Sequence, residues 1–208
     1  EIADKKKFVP IVDMQNFPTS YNQNKNMNNV KNLWELYFEK VSNYSLNEVY
    51  NSRNVYFSPS RFKFFLDDYK KKKLKKVFDK YIKPRKKILN QVNNFTKKNF
   101  KNKIMLGIHL RGTDQKISAR HASPPTIYQI IKLIDLKLSK KKVDKIFLLT
   151  EELNYHERLK KLYKNKICSY NFFRANKIRE FSELSRKNHR NLLGIENLVE
   201  AITLSKCN

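Results

Sequence analysis

The sequence contains little glycine, proline or cysteine. Of 208 residues, three are glycine, six are proline and two are cysteine. Cys168 and Cys207 lie far apart and lack metal-ligand spacing, so they argue against a disulfide framework or a zinc site and predict two buried thiols. No apolar run approaches the ~18 residues that a membrane-spanning helix requires. The sequence therefore gives no indication of membrane association.

Acidic residues are also scarce: the chain has 19 Asp and Glu and 45 Lys and Arg, which gives a net charge of +26. Such an excess favours nucleic-acid binding when the cations cluster, since they then neutralise phosphates. However, 35 of the basic residues are Lys and only 10 are Arg, whereas phosphate and base recognition favour the planar Arg. We predict a diffuse lysine surface that adheres non-specifically to polyanions and has no specific nucleic-acid partner.

The second half of the sequence alternates between strand and helix patterns, in a chain whose 40% hydrophobic content indicates a globular protein. The predicted elements are strand 104–110, helix 123–138 capped by Ser123, strand 143–152, helix 153–163, strand 166–170 and helix 195–205. This order predicts an α/β fold with a parallel sheet. We expect this half, residues 102–208, to form one lobe and residues 1–101 to form another.

The first half is predicted to be mixed and strongly basic. Its expected elements are strand 8–14, helix 30–41, strand 54–62 and two helices within 61–100 that are separated at Pro84, which lacks the amide needed to continue a helix. Within this region, "DDYKKKKLKKVFDKY" (67–81) places Leu74, Val77, Phe78 and Tyr81 at helical spacing among lysines. We interpret it as a packed helix with a solvated lysine face.

Two polar clusters follow the predicted strands. "NKIMLGIHLRGTDQK" (102–116) places His109, Arg111, Gly112 and Asp114 after the strand at 104–110, and the pair Glu151-Glu152 ends the next strand. Ligands bind at the carboxyl ends of strands in open α/β sheets. Gly112 allows close approach of the backbone, and Arg111 can hold a phosphate with two parallel hydrogen bonds. A nucleotide ligand fits these residues.

Each of these residues also has a purely structural interpretation. His109 alternates with apolar Ile108 and Leu110 and could be a hydrogen-bonded histidine beside the core. Arg111 could be an ion-pair partner of Asp114 or Glu151. The acidic pair 151–152 could be the first turn of a helix, where negative charge is favourable. Sequence spacing alone leaves these alternatives open.

The segment "GIHLRGTD" (107–114) resembles the His-x-Arg-x-x-Asp motif of the GDP-fucose-dependent fucosyltransferases, the superfamily that includes the α-1,6-fucosyltransferases. The resemblance extends, in order and near the family's spacing, over "FVPIVDMQN" (8–16), "NLWELYFEKVSNYSLNEVY" (32–50), "YIKPRKKI" (81–88), "VDKIFLLTEE" (143–152) and "LLGIENLVEAITLSKCN" (192–208). It thus covers nearly the whole chain.

This resemblance implies a GT-B type enzyme with two Rossmann-like lobes, an acceptor-side N-terminal lobe and a C-terminal lobe that holds GDP-fucose, and it implies no metal. Carried over, Arg111 stabilises the departing β-phosphate and His109 lines the nucleotide pocket. Glu200 stands where the family has an Asp that recognises guanine. The substrate-binding set implied for GDP-fucose comprises His109, Arg111, Gly112, Asp114, Glu151, Glu152 and Glu200.

The sequence also departs from the α-1,6 enzymes. They have a second Arg where Gly112 stands, an Asp pair at 151–152, and a Glu that can serve as base after the motif, whereas "QKISARH" (115–121) contains no carboxylate. His121 and Lys116 are the substitutes, and only His121 has an ordinary pKa near neutrality, so we predict His121 as the base. The family continues into a Ser-bearing strand beyond Asn208, and we expect a truncated catalytic domain.

The function that these observations favour is transfer of fucose from GDP-fucose to a glycan hydroxyl, with inversion and without a metal. Two alternatives remain open at this stage: a non-catalytic basic protein that binds polyanions or nucleic acid, and an inactive homologue that binds nucleotide without turnover. The chain begins "EIADKKKF" without a Met, so we expect a missing upstream piece. The expected compartment is the cytoplasm for a bacterial or viral source and the Golgi lumen for a eukaryotic one.

Overall fold

The computed structural model describes residues 2–17, 19, 21, 30–57, 67–111, 124–177 and 186–208. The chain divides into two units, Glu1–Lys86 and Lys87–Asn208. The second unit includes nearly all of the helix at 86–99, because that helix buries Ile88 and Val92 and its Phe95 contacts Phe147 of the sheet. Assignment of an acceptor side and a donor side to residues 1–101 and 102–208 stays a prediction.

The regular elements described in the first unit are all helices, separated by segments without regular structure. Its helices are α1 (Ile2–Lys6), α2 (Trp34–Tyr37), α3 (Leu46–Tyr50) and α4 (Asp68–Tyr81). The sequence pattern missed α3, which begins with a capping box in which Ser45 and Glu48 each accept a hydrogen bond from the other's backbone amide. The predicted helix 30–41 shortens to α2, because Phe38 adopts an extended conformation and forms an isolated antiparallel bridge with Pro84.

The strand predicted at 8–14 is wrong, because hydrogen bonds to side chains replace those of a sheet. The Asn32 side chain accepts from the Met14 amide at 3.0 Å and donates to the Val12 carbonyl at 2.7 Å. Asp13 Oδ1 accepts from the Asn16 amide at 2.9 Å. Residues 54–57 of the strand predicted at 54–62 are also not in a strand, and the remainder lies outside the described residues.

The second unit follows the predicted alternation of helices and strands. Its elements are α5 (Lys86–Asn99), β1 (Met105–Leu110), α6 (Ile127–Lys140), β2 (Lys145–Thr150), α7 (Leu153–Tyr163), β3 (Ile167–Cys168) and α8 (His189–Leu204). The strands form a parallel sheet in the order β1-β2-β3. The predicted α/β class, the parallel sheet and the helix break at Pro84 are confirmed.

Two predicted helix starts need correction. α6 begins after Thr126, whose hydroxyl accepts from the Gln129 amide in a capping box, rather than after Ser123, which lies outside the described residues. α8 begins at His189, six residues before the predicted start, and Gly194 lies inside it. An internal glycine costs a helix only about 1 kcal/mol, and burial of His189, Asn191 and Leu193 in the first turns offsets that cost.

The sheet is covered on both faces. On one face Leu106, Ile108 and Leu110 pack against a buried cluster from α6, β2 and α7, which consists of Ile130, Ile134, Ile146, Leu148 and Leu159. On the other face Phe147 contacts the rings of Phe95, Phe100 and Tyr170. The Tyr170 hydroxyl lies 2.8 Å from the Thr203 hydroxyl of α8. Side chains of β1 therefore alternate between the α6–α7 face and the α5–α8 face.

Gly107 allows α8 to approach β1 closely. A Cβ atom at Gly107 would lie 2.8 Å from Leu204 Cδ1 and 3.0 Å from Cys207 Cβ. Beyond α8, the backbone of Asn208 donates to the Met105 carbonyl at 3.1 Å, and its side chain accepts from the Met105 amide at 2.9 Å. Gly107 therefore serves helix packing, and α8 runs from the carboxyl end of the sheet towards its amino end.

We expect Gly107→Ala to lower the free energy of unfolding by about 1–3 kcal/mol, because the added methyl overlaps Leu204 and Cys207 in a packed interior. Urea unfolding of the folded chain measures the change. A double-mutant cycle with Leu204→Ala provides the control: the shorter side chain should remove part of the penalty, so the double variant should be more stable than additivity predicts. Strict additivity would show that Leu204 is not the residue that Gly107 accommodates.

Candidate functional site

The ends of β1 and β2 lie side by side at the carboxyl edge of the sheet. Leu110 pairs with Thr150 in the parallel register, so Arg111 and Glu151 follow directly at neighbouring positions. The pKa of His109 is lowered first by desolvation and then by the charge of Arg111, and the charge of Glu151 opposes this. The structure thus brings together three of the predicted binding residues, His109, Arg111 and Glu151.

His109 does not face the apolar cluster of α6 and α7. It alternates with Ile108 and Leu110, which pack on that cluster, and so lies on the α5–α8 face with Gly107. Its side chain is exposed at the edge of the sheet. Because its pKa is lowered, the imidazole is neutral at physiological pH and offers one donor and one acceptor.

Arg111 is exposed immediately after β1. The predicted binding residues Gly112 and Asp114 and the predicted base His121 lie outside the described residues.

The acidic pair precedes α7 and does not form its first turn. Glu152 is the N-cap residue, makes no side-chain capping hydrogen bond and is 5% exposed. The backbone around it is fixed by Ala175, whose amide donates to the Glu151 carbonyl at 3.0 Å and whose carbonyl accepts from the Leu153 amide at 3.2 Å. The pair is thus held rigidly at the carboxyl end of β2.

Glu200 lies in α8 as part of a buried ion pair. Arg174 Nη2 is 3.4 Å from Glu200 Oε1, and the two side chains are only 5% and 7% exposed. Desolvation raises the pKa of Glu200 to about 7, although the charge of Arg174 opposes the rise. Arg174 also donates to the Phe172 carbonyl at 3.0 Å. A ligand could reach Glu200 only by displacing groups that now cover it.

A second ion pair lies one turn closer to the start of α8. Arg186 donates from both terminal nitrogens to the Glu196 carboxylate, at 2.9 and 2.5 Å, and its guanidinium lies 5.1 Å from the centre of the Phe173 ring. Sequence reasoning missed both pairs. The only available signal was the spacing of Glu196 and Glu200, which places two carboxylates on one face of a helix.

His156 and Ser169 also form a contact that the sequence does not reveal. His156 Nε2 of α7 lies 2.8 Å from the Ser169 hydroxyl, just after β3. Desolvation and the charges of Arg174 and Lys160 lower the pKa of His156 to about 4, so it is neutral at physiological pH. Neither residue belongs to a recognisable motif, and thirteen residues separate them.

The described part of the chain contains no group of three or more His, Cys, Asp or Glu side chains arranged to hold a metal ion. The predicted independence from metal ions stays a prediction. In the same described ranges, no helix combines the length and the apolar character needed to cross a membrane.

No family model and no curated protein matches this chain. Among solved structures, it is similar to NodZ α-1,6-fucosyltransferase soaked with GDP-fucose, with a TM-score of 0.47 and 16% identity over 65% of this chain and 40% of that one. Fucosyltransferase NodZ from Bradyrhizobium gives a TM-score of 0.45 and 15% identity over 65% and 40% of the two chains. NodZ co-crystallised with GDP gives 0.46 and 15% over 65% and 39%. This chain therefore spans about 40% of the length of these structures.

Proposed function

We propose that this chain contains the donor-binding part of a glycosyltransferase that transfers fucose from GDP-fucose to a glycan hydroxyl. The observation that carries the proposal is the position of the His-x-Arg sequence, which ends β1 of a parallel sheet beside Glu151 of the next strand. This edge is where open α/β sheets bind their ligands. The His-x-Arg-x-x-Asp resemblance supplies the identity of the donor.

The reaction requires a cation at the leaving group. The acceptor oxygen forms a bond to the anomeric carbon of fucose as the bond from that carbon to the β-phosphate oxygen breaks, which gives inversion and leaves the electron pair on GDP. Arg111 is proposed to stabilise the charge that develops on the β-phosphate, and its planar guanidinium suits two parallel hydrogen bonds. His121 is proposed to take the proton of the acceptor hydroxyl. With Arg111 supplying the positive charge, no divalent cation is required.

Recognition of guanine is proposed to involve Glu200. An ionised carboxylate can accept two hydrogen bonds from the guanine edge, which adenine and uracil do not offer in the same arrangement. In the ligand-free chain Glu200 contacts Arg174. When guanine binds, hydrogen bonds from the base to Glu200 would therefore replace part of its contact with Arg174. Binding would require ionised Glu200, whose pKa is about 7.

We expect GDP to bind more tightly than ADP or UDP by roughly 10–100-fold, the range for hydrogen bonds to a charged group. Isothermal titration calorimetry in the presence of a chelator measures all three affinities and tests metal independence at the same time. GDP affinity should also rise as the pH increases through about 7, because the ionised carboxylate of Glu200 can accept two charge-assisted hydrogen bonds from guanine, whereas the protonated form keeps one oxygen as a donor.

Glu200→Gln is the matched variant for this experiment, since it keeps the size of the side chain and removes its charge. It should reduce the preference for GDP without abolishing diphosphate binding. Equal affinity for the three nucleotides in the unmodified chain would contradict guanine recognition. Binding that disappears with chelator and returns with manganese would contradict metal independence.

A further inference from the structure

α4 is less packed than its sequence pattern predicts. The helix contains seven lysines and two aspartates in 14 residues. None of its described side chains is buried: Leu74, Val77 and Tyr81 are half-buried, and the rings of Phe78 and Tyr69 are 56% and 77% exposed. The helix therefore presents lysines together with large apolar groups to solvent.

The exposed apolar groups continue beyond α4 within the same unit. Phe8, Val9, Tyr56 and Phe57 are between 46% and 62% exposed. The rings of Phe8 and Tyr56 pack against each other at 5.9 Å with an interplanar angle of 42°. Phe8 and Val9 directly follow three exposed lysines at positions 5–7.

Hydrogen bonds connect this region to α4. Asp4 of α1 accepts from Lys80 Nζ at 2.5 Å and from the Tyr81 hydroxyl at 2.8 Å. The Phe8 amide in turn donates to the Ala3 carbonyl at 2.8 Å. We call the combined region the basic–aromatic surface; it comprises residues 5–9, Tyr56, Phe57 and α4.

We propose that the basic–aromatic surface binds the surface of an anionic phospholipid bilayer. Lysine clusters are attracted to anionic headgroups, and tyrosine rings favour the headgroup level. Phenylalanine rings, which have no polar part, suit the boundary between headgroups and acyl chains. A helix with a lysine-rich face and an apolar stripe has the composition of helices that lie in the bilayer interface. The chain would then be a peripheral membrane protein through its first unit, a property independent of the reaction proposed for the second.

The chemistry of the surface favours lipid over nucleic acid. α4 contains lysine and no arginine, whereas phosphate-backbone and base recognition favour the planar guanidinium. Single-stranded nucleic acids stack their bases on open aromatic faces, and the Phe8–Tyr56 pair is tilted by 42°, with its two rings in contact with each other. Val9 offers an aliphatic group that suits acyl chains and does not stack.

Co-sedimentation of the full chain with vesicles tests the proposal. We expect no binding to pure phosphatidylcholine and strong, salt-sensitive binding when roughly 30% of the lipid is phosphatidylserine. Lys72→Glu/Lys76→Glu should weaken that binding by about 10²-fold or more, because two attractive charges become repulsive. Both side chains are exposed on α4, and circular dichroism verifies that the variant is folded.

A matched control makes the same change in net charge in the second unit, outside the basic–aromatic surface. Lys132→Glu/Lys137→Glu alters two exposed lysines of α6 in the second unit, and it should change vesicle affinity by no more than about threefold at physiological salt. Equal losses for the two double variants would show that net charge, and not the basic–aromatic surface, governs adhesion, and would overturn the proposal.

A tryptophan at position 78 distinguishes insertion from simple electrostatic adhesion. The difference in emission between Phe78→Trp and the unmodified chain, which contains Trp34, reports on position 78. Anionic vesicles should shift this difference to shorter wavelength, and brominated lipids should quench it, because the ring enters the headgroup region. Unquenched emission from vesicle-bound protein would overturn the role of the aromatic groups. Polyuridine RNA tests the alternative partner. If the chain binds this RNA tightly, if Lys72→Glu/Lys76→Glu abolishes that binding, and if anionic vesicles do not bind, the surface binds nucleic acid and the proposal is overturned.

Discussion

Arg111→Lys should lower fucose transfer about 10²–10³-fold, the usual effect of removing a contact aimed at charge that develops in the transition state. Lysine keeps the positive charge but loses the planar pair of donors that matches two phosphate oxygens. GDP binding should fall much less, because the contact strengthens only as the sugar–phosphate bond breaks. Single-turnover transfer of labelled fucose from GDP-fucose to an oligosaccharide mixture is the measurement.

Arg158→Lys is the matched control for this prediction. Arg158 lies on the exposed side of α7, where its guanidinium contacts the Tyr128 ring at 4.7 Å, and its replacement should leave transfer unchanged. Melting temperature must be measured for both variants. If Arg111→Lys lowers the melting temperature while the remaining folded protein transfers fucose normally, Arg111 is a structural ion-pair partner and the proposed transfer chemistry at the end of β1 loses its main support.

The elements around this site were predictable because their signals are local. The apolar run before His109, the apolar run that ends at Thr150 and the helical spacing of residues 153–163 each occupy one continuous segment, and the structure contains β1, β2 and α7 there. Pro84 separates α4 from α5 for an equally local reason, the missing amide. Parallel pairing of β1 with β2 and of β2 with β3 then follows, because a helix lies between each pair of strands and provides the long crossover connection that parallel strands require.

Contacts between distant residues were not predictable from such patterns. The sequence pattern predicted a role only for Gly112, whereas Gly107 accommodates Leu204 and Cys207 from the other end of the unit. In the same way, nothing near 8–14 shows that Asn32 will hold that segment by side-chain hydrogen bonds and prevent strand pairing. Hydrophobic periodicity does not record either interaction.

The burial of Glu200 and His156 was also not predictable from sequence patterns, and it affects how the stability of the chain depends on pH. The pKa of Glu200 is raised from 4.5 to about 7, so between these values the folded chain retains a proton that the unfolded chain has lost. Stability from this group therefore falls as the pH rises through that window, by an amount on the order of 3 kcal/mol. Because Glu200 is only 5% exposed, screening by solvent reduces this change in stability only slightly.

His156 has the opposite effect in an overlapping range. Its pKa is lowered from 6.5 to about 4, so between these values the unfolded chain binds a proton that the folded chain does not. Stability from His156 therefore rises as the pH increases through that window. In the unmodified chain the dependences of Glu200 and His156 oppose each other between about pH 4.5 and 6.5, and the lowered pKa of His109 adds to the rise from His156. Above about pH 6.5 the fall from Glu200 remains.

Two variants should separate these effects. Glu200→Gln keeps a neutral side chain beside Arg174 at every pH, so the fall due to Glu200 is lost and stability should rise with pH through His156 and His109. His156→Gln retains a group that can contact Ser169 and removes the rise due to His156, so its slope of stability against pH should be more negative than that of the unmodified chain. Urea unfolding at several pH values between about 4.5 and 7.5 gives the slopes directly. If the stability of Glu200→Gln instead changes with pH in parallel with that of the unmodified chain, Glu200 is already ionised throughout this range. In that case the ion pair with Arg174 outweighs the desolvation of the carboxylate. GDP affinity should then show no rise near pH 7.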